Sequence, residues 1–71
     1  MNGQRVFVQS ACITSIAFSV APNVLQLEFR NGLVYEYFGV PAAVHRDLLL
    51  APSKGTFVAR FIRGHFPFRR V

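Results

Sequence analysis

"NGLVYEYFGVP", Asn31–Pro41, is the stretch whose reading decides the fold. An Asn-Gly pair between two alternating apolar runs is a strong short-range signal for a β-hairpin. Behind it, Tyr35 and Tyr37 flank a single acid, Glu36, so the register of the turn decides which of them face the core. A two-residue turn would pair Arg30 with Leu33 and Leu27 with Glu36, placing an unpaired carboxylate among leucines at considerable cost. A three-residue loop, Arg30-Asn31-Gly32 with Gly32 in the left-handed region, pairs Phe29 with Leu33 instead. Leu27 then faces Tyr35, Leu25 faces Tyr37, and Glu36 moves to the other face beside Gln26. Because a one-residue slip inverts every side chain, burial selects the second register. Both phenol rings join the apolar face.

Upstream, "VLQLEFR" (Val24–Arg30) alternates, with Leu25, Leu27 and Phe29 opposite Gln26 and Glu28. "ITSIAFSV" (Ile13–Val20) places Ile16, Phe18 and Val20 on one face, and Ala21-Pro22-Asn23 between the two runs is turn chemistry. "RVFV" (Arg5–Val8) reads as an edge strand or an ordered arm. Downstream, Val40-Pro41 stops the sheet and Pro41 suits the first turn of a helix. In "PAAVHRDLLLA", Val44, Leu48 and Ala51 share one stripe with Leu49 at its margin. Ser53 is a good N-cap for a second helix, "KGTFVARFIR". Its Phe57, Val58, Phe61 and Ile62 form one apolar arc at 3.6 residues per turn. Arg60 and Arg63 fall on the opposite face, and Gly64 sits where a C-cap glycine belongs. In the tail "HFPFRRV", Phe66 and Phe68 read as docking anchors and Arg69 and Arg70 as solvated. The expected fold is α+β: a three- to four-stranded antiparallel β-meander followed by two α-helices packed on one face.

Seventy-one residues make a single domain, 1–71, with its core at about 8–68. At 52% apolar, with eight phenylalanines and two tyrosines, the chain is no disordered segment. One cysteine, Cys12, excludes an internal disulfide, and between Ala11 and Ile13 it reads as a small buried hydrophobe. The N-terminal "MNGQRVFVQSACITSIAFSVA" has the outline of a secretory leader, but Gln9, Ser10, Thr14 and Ser15 interrupt any apolar stretch. No run approaches the roughly 18–20 apolar residues a bilayer span needs. The chain is read as soluble and cytoplasmic, with no membrane partner. Eight bases, seven of them arginine, against three acids give a net charge of +5. That surplus favours polyanions, and arginine suits planar contacts to phosphate.

The landmarks resemble a KTSC domain, the short module named after the C-terminus of some lysyl-tRNA synthetases. The residues that carry the resemblance are Val8, Ser10, Ile13, Ile16-Ala17-Phe18 and "LEFRNGLVYEYFGVP" (Leu27–Pro41). Leu49, Ala51, "SKG" (Ser53–Gly55), Phe57, Ile62 and Phe66 continue it, over roughly residues 8–68. Ala11, Phe18-Ser19 and Pro52 depart from the family's pattern, so Ala11 lacks a hydroxyl and Ser19 a carboxylate. The family also occurs as stand-alone small bacterial or phage proteins. The resemblance implies RNA binding through attachment to a synthetase, and it marks Tyr35, Tyr37, Ser53 and Gly55 as motif positions, here read as structural.

No constellation points to catalysis or to a cofactor. His45 and Asp47 stand two apart on a helix and do not face each other. No His pair has metal-ligand spacing, so no metal site is legible. Ser10 and Ser53 have no base in view, which leaves a hydrolase reading almost no support. "PSKG" has the look of a phosphate-holding corner, yet Ser53 is explained as a cap and Gly55 as a close-packing position. The chain is therefore expected to be a non-catalytic binding module. RNA or another polyanion is the expected partner, with Lys54, Arg60, Arg63, Arg69 and Arg70 on phosphates. The alternative is a protein-interaction module that meets an acidic protein surface or self-associates through a sheet edge. Oligomeric state and sequence preference are not legible.

Overall fold

The computed structural model describes residues 5–71. The Met1–Gln4 part of the leader-like stretch lies outside the described residues. Four strands come first: β1 (Arg5–Phe7), β2 (Ile13–Ser19), β3 (Val24–Phe29) and β4 (Val34–Phe38). Two helical pieces follow, α1 (Ala42–Leu50) and α2 (Lys54–Phe57), and α2 runs directly into a π-helical turn, Val58–Ile62. A fifth strand, β5 (Phe68–Arg70), closes the chain. Every strand pairs antiparallel with its neighbour in chain order, giving one sheet ordered β1-β2-β3-β4-β5. The four strands followed by two helical pieces match the expected α+β meander, and the tail adds a fifth strand that was not expected. The tail does not dock as loose anchors but returns to the sheet edge, where Tyr37 pairs Phe68 and Tyr35 pairs Arg70.

The hairpin register is the three-residue one. Leu25 pairs Tyr37, Gln26 pairs Glu36 and Leu27 pairs Tyr35. The Phe29 amide donates to the Leu33 carbonyl at 2.8 Å, and the Gly32 amide donates to the Phe29 carbonyl at 2.9 Å. Gly32 has φ +90°, a left-handed conformation that side chains with a Cβ resist.

That register gives the sheet two unlike faces. Ile16, Phe18, Leu25, Leu27, Tyr35, Tyr37 and Phe68 share the inner one by strand alternation. Over it lie α1, contributing Leu48, and the α2–π segment, contributing Val58 and Ile62; these join the buried core with Ile13 and Val40. Burying such side chains stabilises the fold by about 1.5–3 kcal/mol each. His45 of α1 stacks on Phe18 at 4.5 Å between ring centroids. The outer face carries no helix. Its polar side chains bond one another: the Arg5 guanidinium donates to Ser15 Oγ and the Ser15 hydroxyl to Glu28, both at 2.7 Å.

Ser53 caps α2 as expected, its Oγ accepting from the Thr56 amide. The second helix, however, does not hold a 3.6-residue turn to its end. The Arg63 amide donates to the Val58 carbonyl five residues back, and Arg63 itself leaves the helix with ψ 125°. Phe61 is correspondingly 53% exposed rather than in the apolar arc, resting on Phe57 at 4.9 Å. Gly64 follows at φ +81°, the C-terminal conformation the sequence suggested. Cys12 corrects another expectation, because it is exposed. Its loop turns outward at Ser10, whose Oγ accepts from the Cys12 and Ile13 amides.

Candidate functional site

The three acids define the site by where they are consumed. Glu36 takes the Arg69 guanidinium at 2.7 and 3.2 Å and also accepts from Gln26. Asp47 pairs with Arg46 at 3.4 Å, both exposed. Glu28 reaches Arg5 through the Ser15 hydroxyl. Among the described residues this leaves Arg30, Lys54, Arg60, Arg63 and Arg70 without an acid partner. Of the five cations expected to touch phosphate, Arg69 is the one that pairs with an acid among the described residues. Because β5 exists, Arg69 faces outward opposite Glu36, its Cα partner. Arg30 takes its place, a residue the sequence reading treated only as part of the turn.

Four of these five cations gather along one side of the molecule. A depression of about 440 Å³ lies between the Ser10–Cys12 loop and the start of α2, with Lys54 at its rim. It shares Cys12 and Gly55 with a second, of about 330 Å³, lined by Arg30, Asn31 and Arg63. That one shares Phe29, Asn31 and Arg63 with a third, of about 420 Å³, walled by Tyr35, Tyr37 and Phe68. The shared residues set the three depressions side by side, and together they form a trough. Arg70 stands beside its aromatic end, across from Tyr35 on the same face. Arg60 lines none of the three. It lies against Phe61, 6.0 Å from the ring centroid, beside a shallow depression of about 250 Å³. The expected shared face of Arg60 and Arg63 does not form, because the π-helical turn redirects Arg63 toward the sheet.

Each wall of the trough has a local cause. The Arg30 guanidinium donates to the Ser10 carbonyl at 3.0 Å, tying the β3–β4 turn to the β1–β2 loop. Lys54 donates to the Ala51 carbonyl at 2.8 Å, which holds the ammonium near the helix junction without neutralising it. At Gly55 an added Cβ would sit 3.0 Å from Cys12 Sγ, so any larger residue there would have to push the Cys12 side chain aside. Tyr37 is 3% exposed, and burial pushes its phenol above the ordinary value of 10.0, with the nearby Arg63 guanidinium opposing the shift. Tyr35 is only half-buried. It stacks on Phe68 at 5.5 Å and meets the Phe29 ring edge-on at 5.6 Å. The tyrosines therefore differ in depth: Tyr37 is a core residue at the base of the trough and Tyr35 a half-buried part of its wall.

The remaining expected site residues have ordinary surroundings. Ser10 Oγ accepts from two backbone amides, and the Ser53 hydroxyl meets Thr56 at 3.0 Å. His65 is exposed, and burial against Phe18 holds His45 below the ordinary imidazole value of 6.5. Among the described residues no three His, Cys, Asp or Glu side chains cluster as a metal site would require. Among the same residues no helix is long and apolar enough to cross a membrane.

Comparison with known proteins agrees on one family. The sequence pattern of the KTSC domain matches residues 9–66. A lysine–tRNA ligase of Nostoc punctiforme is 40% identical over 63 residues, covering 89% of this chain but 11% of the ligase. The chain thus corresponds to a small segment of that enzyme. A protein of Stutzerimonas stutzeri is 33% identical over 69 residues, covering 96% of this chain and 97% of that protein. The crystal structure of a KTSC domain protein from Yersinia pestis has a TM-score of 0.92 at 37% identity, covering 96% of both chains.

Proposed function

This chain belongs to the KTSC domain family, and from that premise we propose that it is a non-catalytic, cytoplasmic module that binds RNA through its basic trough. The observation that carries the reading is the fate of the charges. Each acid is engaged elsewhere, whereas Arg30, Lys54, Arg63 and Arg70 line or flank one trough with no carboxylate among its walls. Such an arrangement attracts phosphates without reading sequence. RNA is favoured over other polyanions by the relatives in which the segment is one small part, since these are named for acting on tRNA.

Titration of a labelled RNA while salt rises from about 50 to about 200 mM tests the proposal. Four phosphate contacts, one for each of these cations, predict a log–log slope of about −2.8 for a single strand. Replacing Arg30 and Arg63 together by alanine should flatten that slope by about 1.4. Absence of any RNA binding at the low-salt end would end the reading. A second reading, docking on an acidic protein surface, rests on the exposed Phe61 beside Arg60. A contact of that kind would persist at high salt, because apolar burial is not screened.

A further inference from the structure

We infer that the trough takes single-stranded RNA, an unpaired base lying against the Tyr35–Phe68 rings while Arg63 and Arg70 hold the flanking phosphates. This rests on the proposed RNA binding and says which form of RNA the site accepts.

The helical layer does not cover the whole inner face. Its buried contributions, Leu48, Val58 and Ile62, pack with Ile16, Leu25, Leu27 and Tyr37. Beyond Tyr37, toward the β5 edge, the sheet is bare enough that Phe68 is 58% exposed. A ring so exposed contributes little to the core, and its position follows from β4–β5 pairing rather than from burial. Tyr35 and Phe68 are nonetheless held in a fixed relation, 5.5 Å apart and within 20° of parallel. The edge of Phe29 fixes Tyr35 from the other side. The result is an aromatic wall already ordered before any ligand arrives, so little side-chain entropy is lost on stacking.

Size and charge agree with that use. The aromatic end of the trough, about 420 Å³, falls in the range of pockets that hold small planar ligands. Arg63 lines both this end and the middle of the trough, and Arg70 stands across from Tyr35. Phosphates on either side of a stacked base would thus each meet a guanidinium. Both glutamates lie on the opposite face of the sheet, where they repel nothing in the trough. A duplex buries the faces of its bases within its own stack, so it offers this wall only an edge or its backbone. An unpaired base offers a whole face to an aromatic ring, a gain of about tenfold in affinity.

The test compares a labelled single strand of about 12 nucleotides, a duplex of equal length, and inorganic polyphosphate as a competitor without bases. The single strand should bind about tenfold more tightly than the duplex and quench tyrosine emission, the chain having two tyrosines and no tryptophan. Phe68→Leu and Tyr35→Leu should each weaken the single strand about tenfold and leave polyphosphate competition unchanged. Phe68→Tyr should retain affinity, and Arg63→Ala should weaken RNA and polyphosphate alike. Equal affinity for duplex and single strand, or full affinity in both leucine variants, would overturn the stacking inference while leaving the basic trough standing. Failure of RNA and polyphosphate alike to bind would remove both.

Discussion

Arg69 and Arg70 are neighbours in the chain and opposites in the structure. One lies on the outer face, where Glu36 takes its guanidinium at 2.7 Å; the other lies on the inner face beside Tyr35, with no acid among its described partners. The whole sheet follows that division. On the outer face every glutamate is engaged by a neighbour, and Ser15, fully buried, passes a hydrogen bond from Arg5 to Glu28. On the inner face apolar side chains carry the stability at one end and unpaired cations gather at the other. A basic surplus becomes a site only where the acids have been placed elsewhere, and strand alternation does that placing.

The largest expected difference between the faces is in stability. Leu27→Ala removes a fully buried inner side chain and should cost about 2–5 kcal/mol. Ser15→Ala on the outer face should cost less, about 1–3 kcal/mol, because it leaves the Glu28 carboxylate and the Arg5 guanidinium short of a partner. Urea unfolding midpoints of the two variants measure this. If Ser15→Ala were the more damaging, the polar outer network, and not the apolar layer, would be what holds the sheet.

Next comes binding, where the paired arginines should separate. Arg70→Ala should weaken RNA and flatten the salt slope by about 0.7, the loss of one single-strand phosphate contact. Arg69→Ala should change the slope little, since that charge is already neutralised by Glu36. Glu36→Gln sharpens the comparison by freeing Arg69 on the far face, where it should still leave the slope near its original value. Equal slopes for Arg69→Ala and Arg70→Ala would show that the face of the sheet does not matter to the ligand.

Much of this was legible in the chain, and what escaped did so for physical reasons. The hairpin register followed from "FRNGLVYEY" because only one alignment keeps Glu36 out of the core. The Ser53 cap and Gly64 were equally local signals. β5 escaped because "FRR" lacks an apolar alternation, and its partner strand lies some thirty residues earlier. That one miss propagated to the site: without β5, Arg69 and Arg70 look alike, and Phe68 looks like an anchor rather than a wall. The π-helical turn escaped because "KGTFVARFIR" fits a regular helix, so Arg60 and Arg63 were placed together when the fold sends them apart. Of the cations expected on phosphates, Lys54, Arg63 and Arg70 lie along or beside the trough, whereas Arg30 was read only as part of the turn and needed the fold to place it.

The smallest expected effect concerns pH, and it distinguishes the covered end of the inner face from the open one. His45 stacks on Phe18 at 4.5 Å, and burial disfavours its charged form, lowering its pKa from the ordinary 6.5. The unfolded chain therefore binds a proton more readily than the folded one below that value. Stability should be full above about pH 6.5 and decline as pH falls through the lower folded pKa. His45→Phe retains a ring against Phe18 and cannot titrate there, so its urea midpoint should stay flatter over the same interval. Parallel pH profiles for the two would mean that burial does not disfavour the charged form of His45. The α1 cover over Phe18 would then be looser than the stacked rings imply.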